Sequence, residues 1–335
     1  MKLLVTGGLG FIGSNFILHV LKNYEDYKIV NIDAELNGSN HKSLIEIKNY
    51  QNYRFVKGNI ADYNLMNKLI EGCDVIINFA AESHVDRSIS NAKPFIDSNI
   101  MGVFTILEVL KNYKKKLIQI STDEVFGSIE SGSADENFRL NPSSPYSSSK
   151  GSAELLINSY VATFGIDAMI TRCTNNYGPR QFPEKLIPKS IILVDQDKKI
   201  PIYGSGKSIR DWIFVEDNCN AIMRVLLEGE AGQSYNISAS NEMDNLTLVK
   251  KILSIMNKSE DYIKFVKERP GEDYRYSLNS SKIRTNLKWS GKMDLEDGLR
   301  KTIGWYLKNR DWWSDVDINA LSVIPWKNEN FNLPD

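Results

Sequence analysis

The sequence predicts an α/β fold, a doubly wound parallel sheet joined to a smaller C-terminal mixed α/β lobe. Three observations carry this expectation. Short apolar runs alternate with helical patterns as far as residue 174, a glycine-rich turn follows the first run, and prolines and glycines break the rhythm afterwards. In order, Leu3 to Thr6, Ile29 to Ile32, Val75 to Phe79, Leu117 to Ile120 and Ala168 to Thr171 read as strands buried on both faces, as helix-covered parallel strands must be. Between them Ile12, Phe16 and Val20, then Ile100, Phe104, Leu107 and Leu110, recur at the spacing of one buried helix face. Strand–helix–strand repetition places crossover helices on both sides of the sheet. Beyond Thr174, Pro179, Pro183, Pro188 and Pro201 with Gly178, Gly204 and Gly206 mark loops, although a helical pattern returns from Asp217 to Leu227. The expected division is residues 1–174 for the sheet domain and 175–335 for the smaller lobe, with some chain crossing back. That lobe should cover the carboxyl edge, where open α/β sheets bind ligands.

Composition narrows the partners. With 41 Lys and Arg against 42 Asp and Glu, the formal net charge is −1. The basic footprint of nucleic-acid or anionic-membrane binding is missing, so small molecules are the expected ligands. No apolar run reaches the roughly 18–20 residues of a membrane span, and the opening residues run into glycines without a secretory pattern. A cytoplasmic protein is expected. Cys73, Cys173 and Cys219, odd in number and far apart, read as reduced filler. His19, His41 and His84 are too scattered to hold a metal, and none is expected.

Gly8-Leu9-Gly10-Phe11-Ile12-Gly13 fits the pattern G-x-G-x-x-G, with Gly7 adding a second spacing, and lies between an apolar strand and an amphipathic helix. Glycines there allow a tight turn and a close approach of backbone N–H groups and the helix N-terminus to a pyrophosphate. Asp33 ends the second strand twenty residues after Gly13, where its carboxylate can accept from a ribose diol and repel a 2′-phosphate. With no Arg in Asp33-Ala34-Glu35-Leu36, a Rossmann-like domain preferring NAD to NADP is expected.

Tyr146 and Lys150 stand four residues apart on a helix introduced by Pro145. A lysine one turn away should lower the tyrosine pKa, so that the phenolate can take an alcohol proton as hydride leaves carbon. Thr122, ending the preceding strand, offers a hydroxyl to the same alcohol. At this point the chain resembles the extended short-chain dehydrogenase/reductase superfamily, whose members act largely on nucleotide sugars. Asp123 and Glu124 add an adjacent acid pair that alcohol oxidation does not need. A reaction that removes a proton from carbon and protonates a leaving hydroxyl needs one carboxylate and one carboxylic acid, with pKa values set apart. That pairing points to dehydration.

Ala80 to Ile89, Ser121 to Gly127, Asn175 to Pro179, Pro183 to Pro188 and Arg210-Asp211-Trp212, in this order, resemble the dTDP-glucose 4,6-dehydratase family over the chain to about Trp313. The resemblance implies that Tyr146 and Lys150 oxidise the sugar at C4 with Thr122 assisting, that Glu124 removes the C5 proton and that Asp123 protonates the departing C6 hydroxyl. Hydride then returns to C6 and NAD ends unchanged. It places Gly7, Gly10, Phe11, Ile12, Gly13, Asp33, Ala34, Leu36, Asn59, Ile60, Phe79, Ala80, Ala81, Ser98 and Asn176 at the cofactor with Tyr146 and Lys150. It places Ser83, His84, Asn175, Leu186, Pro201, Tyr203, Asn245 and Tyr276 at the nucleotide sugar beside Thr122, Asp123 and Glu124. Lys185, Arg210 and Arg269 are the cations expected at the substrate diphosphate. Four positions depart from the family pattern: Asn37, Asn59, Phe126 and Glu272, the last where a His faces the substrate. A carboxylate there repels a diphosphate unless it is paired.

Dehydratases of UDP-, CDP- or GDP-sugars remain open alternatives. A nucleotide-sugar 4-epimerase would lack the acid pair, and a non-catalytic NAD-binding regulator would not need Thr122, Tyr146 and Lys150. Apolar residues on several faces of the segments around Ile100–Leu110 and Ser152–Phe164 imply a homodimer. Asp315, Asp317 and Pro325-Trp326 suggest a closing strap or an oligomer contact.

Overall fold

The computed structural model describes residues 1–316. Its strands are β1 (Lys2–Thr6), β2 (Lys28–Asp33), β3 (Tyr53–Lys57), β4 (Val75–Asn78), β5 (Lys116–Thr122), β6 (Ala168–Cys173), β7 (Asn175–Tyr177), β8 (Ile200–Tyr203), β9 (Ile209–Phe214), β10 (Ser234–Ile237), β11 (Glu242–Asp244) and β12 (Ile263–Val266). Among the described residues, seven of them form one parallel sheet in the order β10-β6-β5-β4-β1-β2-β3. This is the doubly wound architecture expected from the alternating pattern. All five strands read from apolar runs are present. The two that were not read have physical reasons for being quiet: β3 is an edge strand with no fully buried position, and β10 is four residues long inside a loop-rich stretch.

Because β10 pairs with β6 and the helix Val215–Glu228 packs on Phe11–Asn23, chain beyond residue 174 returns to the first domain. One apolar layer joins those two helices to β1 and β5 through Phe16, Ile17, Val20, Ile222 and Val225. The other layer packs Val103, Ile106, Leu107 and Ile157 on the opposite face. Phe104, expected on the buried side of its helix, is 37% exposed, because the buried stripe runs through its neighbours Val103, Ile106 and Leu107. The smaller lobe holds a three-stranded sheet, β11-β9-β7, and the pair β12-β8. Its core is Tyr177, Trp212, Leu299, Tyr306 and Trp312.

The helix Pro145–Phe164 shows how local sequence sets the site. Ser144 and Ser147 form a reciprocal capping box, Pro145 occupies the first turn, and Gly165 at φ 65° ends the helix in the left-handed region. Both ends are thereby fixed, and Tyr146 and Lys150 project from its first turns. At the other end of the described chain, Lys42 pairs with Asp315 at 2.6 Å and Asn40 donates to the Trp312 carbonyl at 2.9 Å, tying the C-terminal segment to the loop after β2. Asp317 and Pro325-Trp326 lie outside the described residues.

Candidate active site

Strand order reverses between β1 and β4, and a cleft of about 500 Å³ opens at their carboxyl ends. Buried hydrogen bonds tie the strand ends behind it: Thr6 donates to Asn78 at 2.5 Å, Asn78 to Gln119 at 2.7 Å, and the Gly8 amide to Asn31 at 3.1 Å. Gly7 has φ 65°, and a Cβ there would lie 2.6 Å from the Ala80 nitrogen; on Gly13 it would lie 2.5 Å from the Gly7 carbonyl. Only glycine fits both places. The helix Phe11–Asn23 begins at Gly10 with no side-chain cap and no acid in its first turn, leaving its amide terminus to an anion.

Asp33 is buried and accepts from the Leu9 and Glu35 amides at 3.0 and 2.8 Å and from Ser39 at 2.7 Å, which holds its carboxylate at the cleft wall. The cation beside it in register, Lys57, is paired with Glu35 and so is not offered to a 2′-phosphate. All seventeen residues expected at the cofactor line this one cleft: Gly7, Gly10, Phe11, Ile12, Gly13, Asp33, Ala34, Leu36, Asn59, Ile60, Phe79, Ala80, Ala81, Ser98, Tyr146, Lys150 and Asn176. The wall also includes Ser39, Gln181 and Phe182, which sequence reasoning missed. Asn176 Oδ1 and Gln181 Oε1 are buried without a partner among the described residues. Glycine cradle, open helix terminus, anchored acid and unsatisfied polar atoms together fit NAD.

The reacting groups stand at the other end of the cleft. Thr122 closes β5, accepting from the Glu124 amide at 3.3 Å and donating to Asp123 Oδ1 at 3.1 Å. Gly127 at φ 68° ends the acid turn. Asp123 is 4% exposed, and its Oδ2 has no partner among the described residues. Burial, then Glu124 beside it, pushes the Asp123 carboxyl well above the ordinary carboxylate range. Glu124 is also raised by burial, but Arg269, Lys185 and Arg210 oppose the shift. Both acids are thus pushed toward the protonated form, Asp123 the more strongly and Glu124 against the opposing cations.

The net shift of Tyr146 runs against the expected lowering: burial and the Glu124 charge push it well above the phenol value, with Thr122 among the opposing influences. Lys150 Nζ donates to the Ile120 carbonyl at 2.6 Å, and burial lowers its own pKa to about 8. Cys173 lines the same wall, but burial pushes its thiol up to about 12, which leaves it inert.

Of the residues expected at the nucleotide sugar, Ser83, His84, Thr122, Asp123, Glu124, Asn175 and Lys185 line the cleft. Leu186, Pro201, Tyr203, Arg210, Asn245, Arg269 and Tyr276 do not; they lie in the smaller lobe. There the charged groups bind one another. Arg210 gives one nitrogen to Glu272 at 2.5 Å and the Asp273 carbonyl at 2.9 Å, and stacks 4.2 Å above the Tyr276 ring. Arg269 reaches Glu272 at 2.5 Å and Asp86 at 3.1 Å, while Tyr203 donates to Asp86 at 3.2 Å. Glu272 is therefore paired twice, which resolves the repulsion expected of it. Burial and the surrounding Lys185, Lys189, Arg87 and Arg269 hold His84 well below its ordinary pKa, hence neutral. Asp86, Glu184 and Lys189 were missed as site residues, although Asp86 and Glu184 lie inside the motifs that carried the resemblance.

A dinucleotide cleft that ends on a tyrosine, a lysine and an unequal acid pair defines a short-chain dehydrogenase/reductase whose chemistry goes beyond alcohol oxidation. The model of the GDP-mannose 4,6 dehydratase family matches residues 4–302, and the chain belongs to that family. It is 45% identical over 308 residues to the low-salt glycan biosynthesis protein Agl12 of Haloferax volcanii, covering 92% of this chain and 99% of that one. It is 42% identical over 321 residues to dTDP-glucose 4,6-dehydratase of Streptomyces niveus, covering 94% and 96%. A solved structure of dTDP-glucose 4,6-dehydratase from Bacillus anthracis in complex with NAD superposes with a TM-score of 0.89 at 43% identity, covering 94% and 99%.

Proposed function

We propose that this chain is a dTDP-glucose 4,6-dehydratase, a hydro-lyase that uses NAD without consuming it and releases dTDP-4-keto-6-deoxyglucose. The observation that carries the reading is the acid pair beside Tyr146 in the dinucleotide cleft, Asp123 buried and Glu124 half-buried. When bound, NAD supplies the hydride acceptor at C4 and the hydride donor at C6. Tyr146 takes the O4 proton as hydride leaves C4, the Lys150 ammonium one turn away favouring the phenolate against the burial that opposes it, with Thr122 holding that hydroxyl. The C4 ketone acidifies C5–H, and Glu124, kept toward its ionised form by Arg269, Lys185 and Arg210, accepts that proton. Asp123, whose carboxyl is raised by burial, gives its proton to the C6 oxygen, which leaves as water, and Glu124 returns its proton to C5 as C6 is reduced, giving the 4-keto-6-deoxy product.

The reading is tested by supplying NAD with dTDP-, UDP-, CDP- and GDP-glucose and following the alkaline absorbance of the 4-keto-6-deoxy product. Product from dTDP-glucose is expected; turnover of another nucleotide-glucose alone would overturn the substrate, and no turnover at all would leave a non-catalytic NAD-binding regulator. The partner we propose is a second copy. Ile96, Met101, Phe104, Leu155 and Phe164 are exposed on two helical segments that pack together, an apolar surface suited to a homodimer. Light scattering should give twice 38.1 kDa; a 38.1 kDa particle would reject the dimer. Among the described residues no helix is long and apolar enough to cross a membrane, and the three cysteines are free and buried, which supports a cytoplasmic location.

A further inference from the structure

Among the ion pairs of the described residues, Glu154–Arg172 is the most deeply buried, with side chains 0% and 5% exposed. The guanidinium holds the carboxylate as a fork: Arg172 Nε lies 3.1 and 3.0 Å from the two oxygens and Nη2 2.7 Å from Oε2. Arg172 Nη1 donates to the Glu136 carbonyl at 3.1 Å, and the guanidinium stacks 4.9 Å above the Phe126 ring. None of these residues lines the cleft, yet each is one step from a residue that does. Glu154 is one helical turn beyond Lys150 on the same face. Arg172 precedes Cys173, and Phe126 belongs to the turn that carries Asp123 and Glu124.

We propose that Glu154 and Arg172 are positioning residues that clamp the helix bearing Tyr146 and Lys150 to the turn bearing the acid pair. The clamp spans three separate pieces of chain. Glu154 sits on the helix, Arg172 on β6, and Phe126 on the acid turn, with the Glu136 carbonyl bracing the loop between them. It fixes the distance between the groups assigned above to C4 oxidation and those assigned to C5/C6 elimination, and in that respect it rests on the dehydratase reading.

The same pair acts on Lys150 electrostatically. Burial lowers the Lys150 pKa and the Glu154 carboxylate is the largest influence opposing it. The groups acting on Lys150 are Glu154 from its own helix, with Arg172 of β6 paired to it, Cys173 from β6 and the Ile120 carbonyl from β5, Asp123 acting on Cys173 in turn. Without the Glu154 charge, Lys150 should lose its proton at lower pH.

The test uses the full chain labelled with ε-¹³C lysine, the Lys150 resonance being assigned by its loss in Lys150→Met. In the parent, Lys150 should titrate near 8. In Glu154→Gln the midpoint should fall by about one pH unit, the low end of what an opposite charge at this range supports. Because Glu154→Gln strands a buried guanidinium and destabilises the fold, the decisive variant is the double change Glu154→Leu with Arg172→Met. Apolar replacement of both partners usually restores stability. If the pair positions Lys150, the double variant recovers the parent's melting temperature but keeps the lowered titration midpoint, and the alkaline limb of kcat on dTDP-glucose moves down with it. Return of both midpoint and limb to parent values would reduce the pair to a structural role and overturn the inference. Should no nucleotide sugar be turned over even by the parent, the dehydratase reading falls while the Lys150 titration still decides this one.

Discussion

The two ends of the cleft handle charge in opposite ways. At the dinucleotide end, recognition is built from absences: glycines where a Cβ would collide, a helix terminus without a cap, and amide oxygens without partners. In the smaller lobe beside it, where the nucleotide sugar is proposed to bind, the pattern is one of excess, with Arg210, Arg269, Glu272, Asp86 and Tyr276 already engaged with one another. The first end is preorganised by the backbone and waits for a ligand. At the second, a ligand must enter an existing network, so its affinity is the difference between new contacts and those given up. The acid pair stands on the border, buried like the first and charge-coupled like the second.

The largest effects are expected at that border. Glu124→Gln should lower kcat by on the order of 10²–10⁴ and stop exchange of the substrate C5 hydrogen with deuterated water. Asp123→Asn should lower kcat by a similar order while leaving C5 exchange measurable, because the base is intact. C5 exchange that persists in Glu124→Gln at the parent rate would remove Glu124 from the role of base. Stability should move the other way. Both acids have folded pKa values raised by burial. Above their unfolded values the folded state binds more protons than the unfolded state, so stability falls as pH rises through that window. The neutral amides escape this cost, and Asp123→Asn should melt higher than the parent at neutral pH, with a smaller difference below pH 4. Equal melting temperatures at neutral pH would mean that Asp123 is not held protonated by the fold.

A smaller effect should appear at the dinucleotide end. Gly7→Ala places a Cβ 2.6 Å from the Ala80 nitrogen at φ 65°, a backbone strain of about 1–3 kcal/mol before any clash is relieved. Melting temperature and NAD affinity measured by titration calorimetry should both fall. If NAD affinity is unchanged, the cradle is more pliant than this geometry allows, and the contrast between the two ends weakens.

What was legible follows the same division. The glycine turn, Asp33, Thr122, the acids and the Tyr146–Lys150 pair are local in sequence, because a strand end or one helical turn sets their relative positions. Their chemistry could be read before the fold was seen. The smaller-lobe network was legible only as separate residues. Its contacts join Asp86 to Arg269 across 183 positions and Arg210 to Glu272 across 62, and no periodicity encodes such pairs. The net shift of Tyr146 was illegible for a related reason. Spacing on the helix gave its Lys150 neighbour, but not the burial and the Glu124 charge that the fold brings against the phenol.

The smallest predicted effect tests the crowded end directly. Glu272 places one carboxylate oxygen on Arg210 and the other on Arg269, so it occupies the face of Arg269 that a substrate diphosphate would use. Arg210 loses little by this, since the Asp273 and Ile209 carbonyls also accept from it and Tyr276 lies beneath it. Among the described residues Arg269 has only Asp86 besides as an ion-pair partner, and its buried Nε has none. A diphosphate that displaces Glu272 must therefore supply what the carboxylate supplied and leave that carboxylate a new partner. Glu272→Gln keeps the shape but weakens the competing contact by about 1 kcal/mol, the difference between a charge-assisted and a neutral hydrogen bond. The KM for the nucleotide sugar should fall by roughly fivefold, with the effect on KM exceeding that on kcat. A rise in KM would mean instead that Glu272 aims the two arginines at the substrate, and that this end of the cleft is preorganised after all.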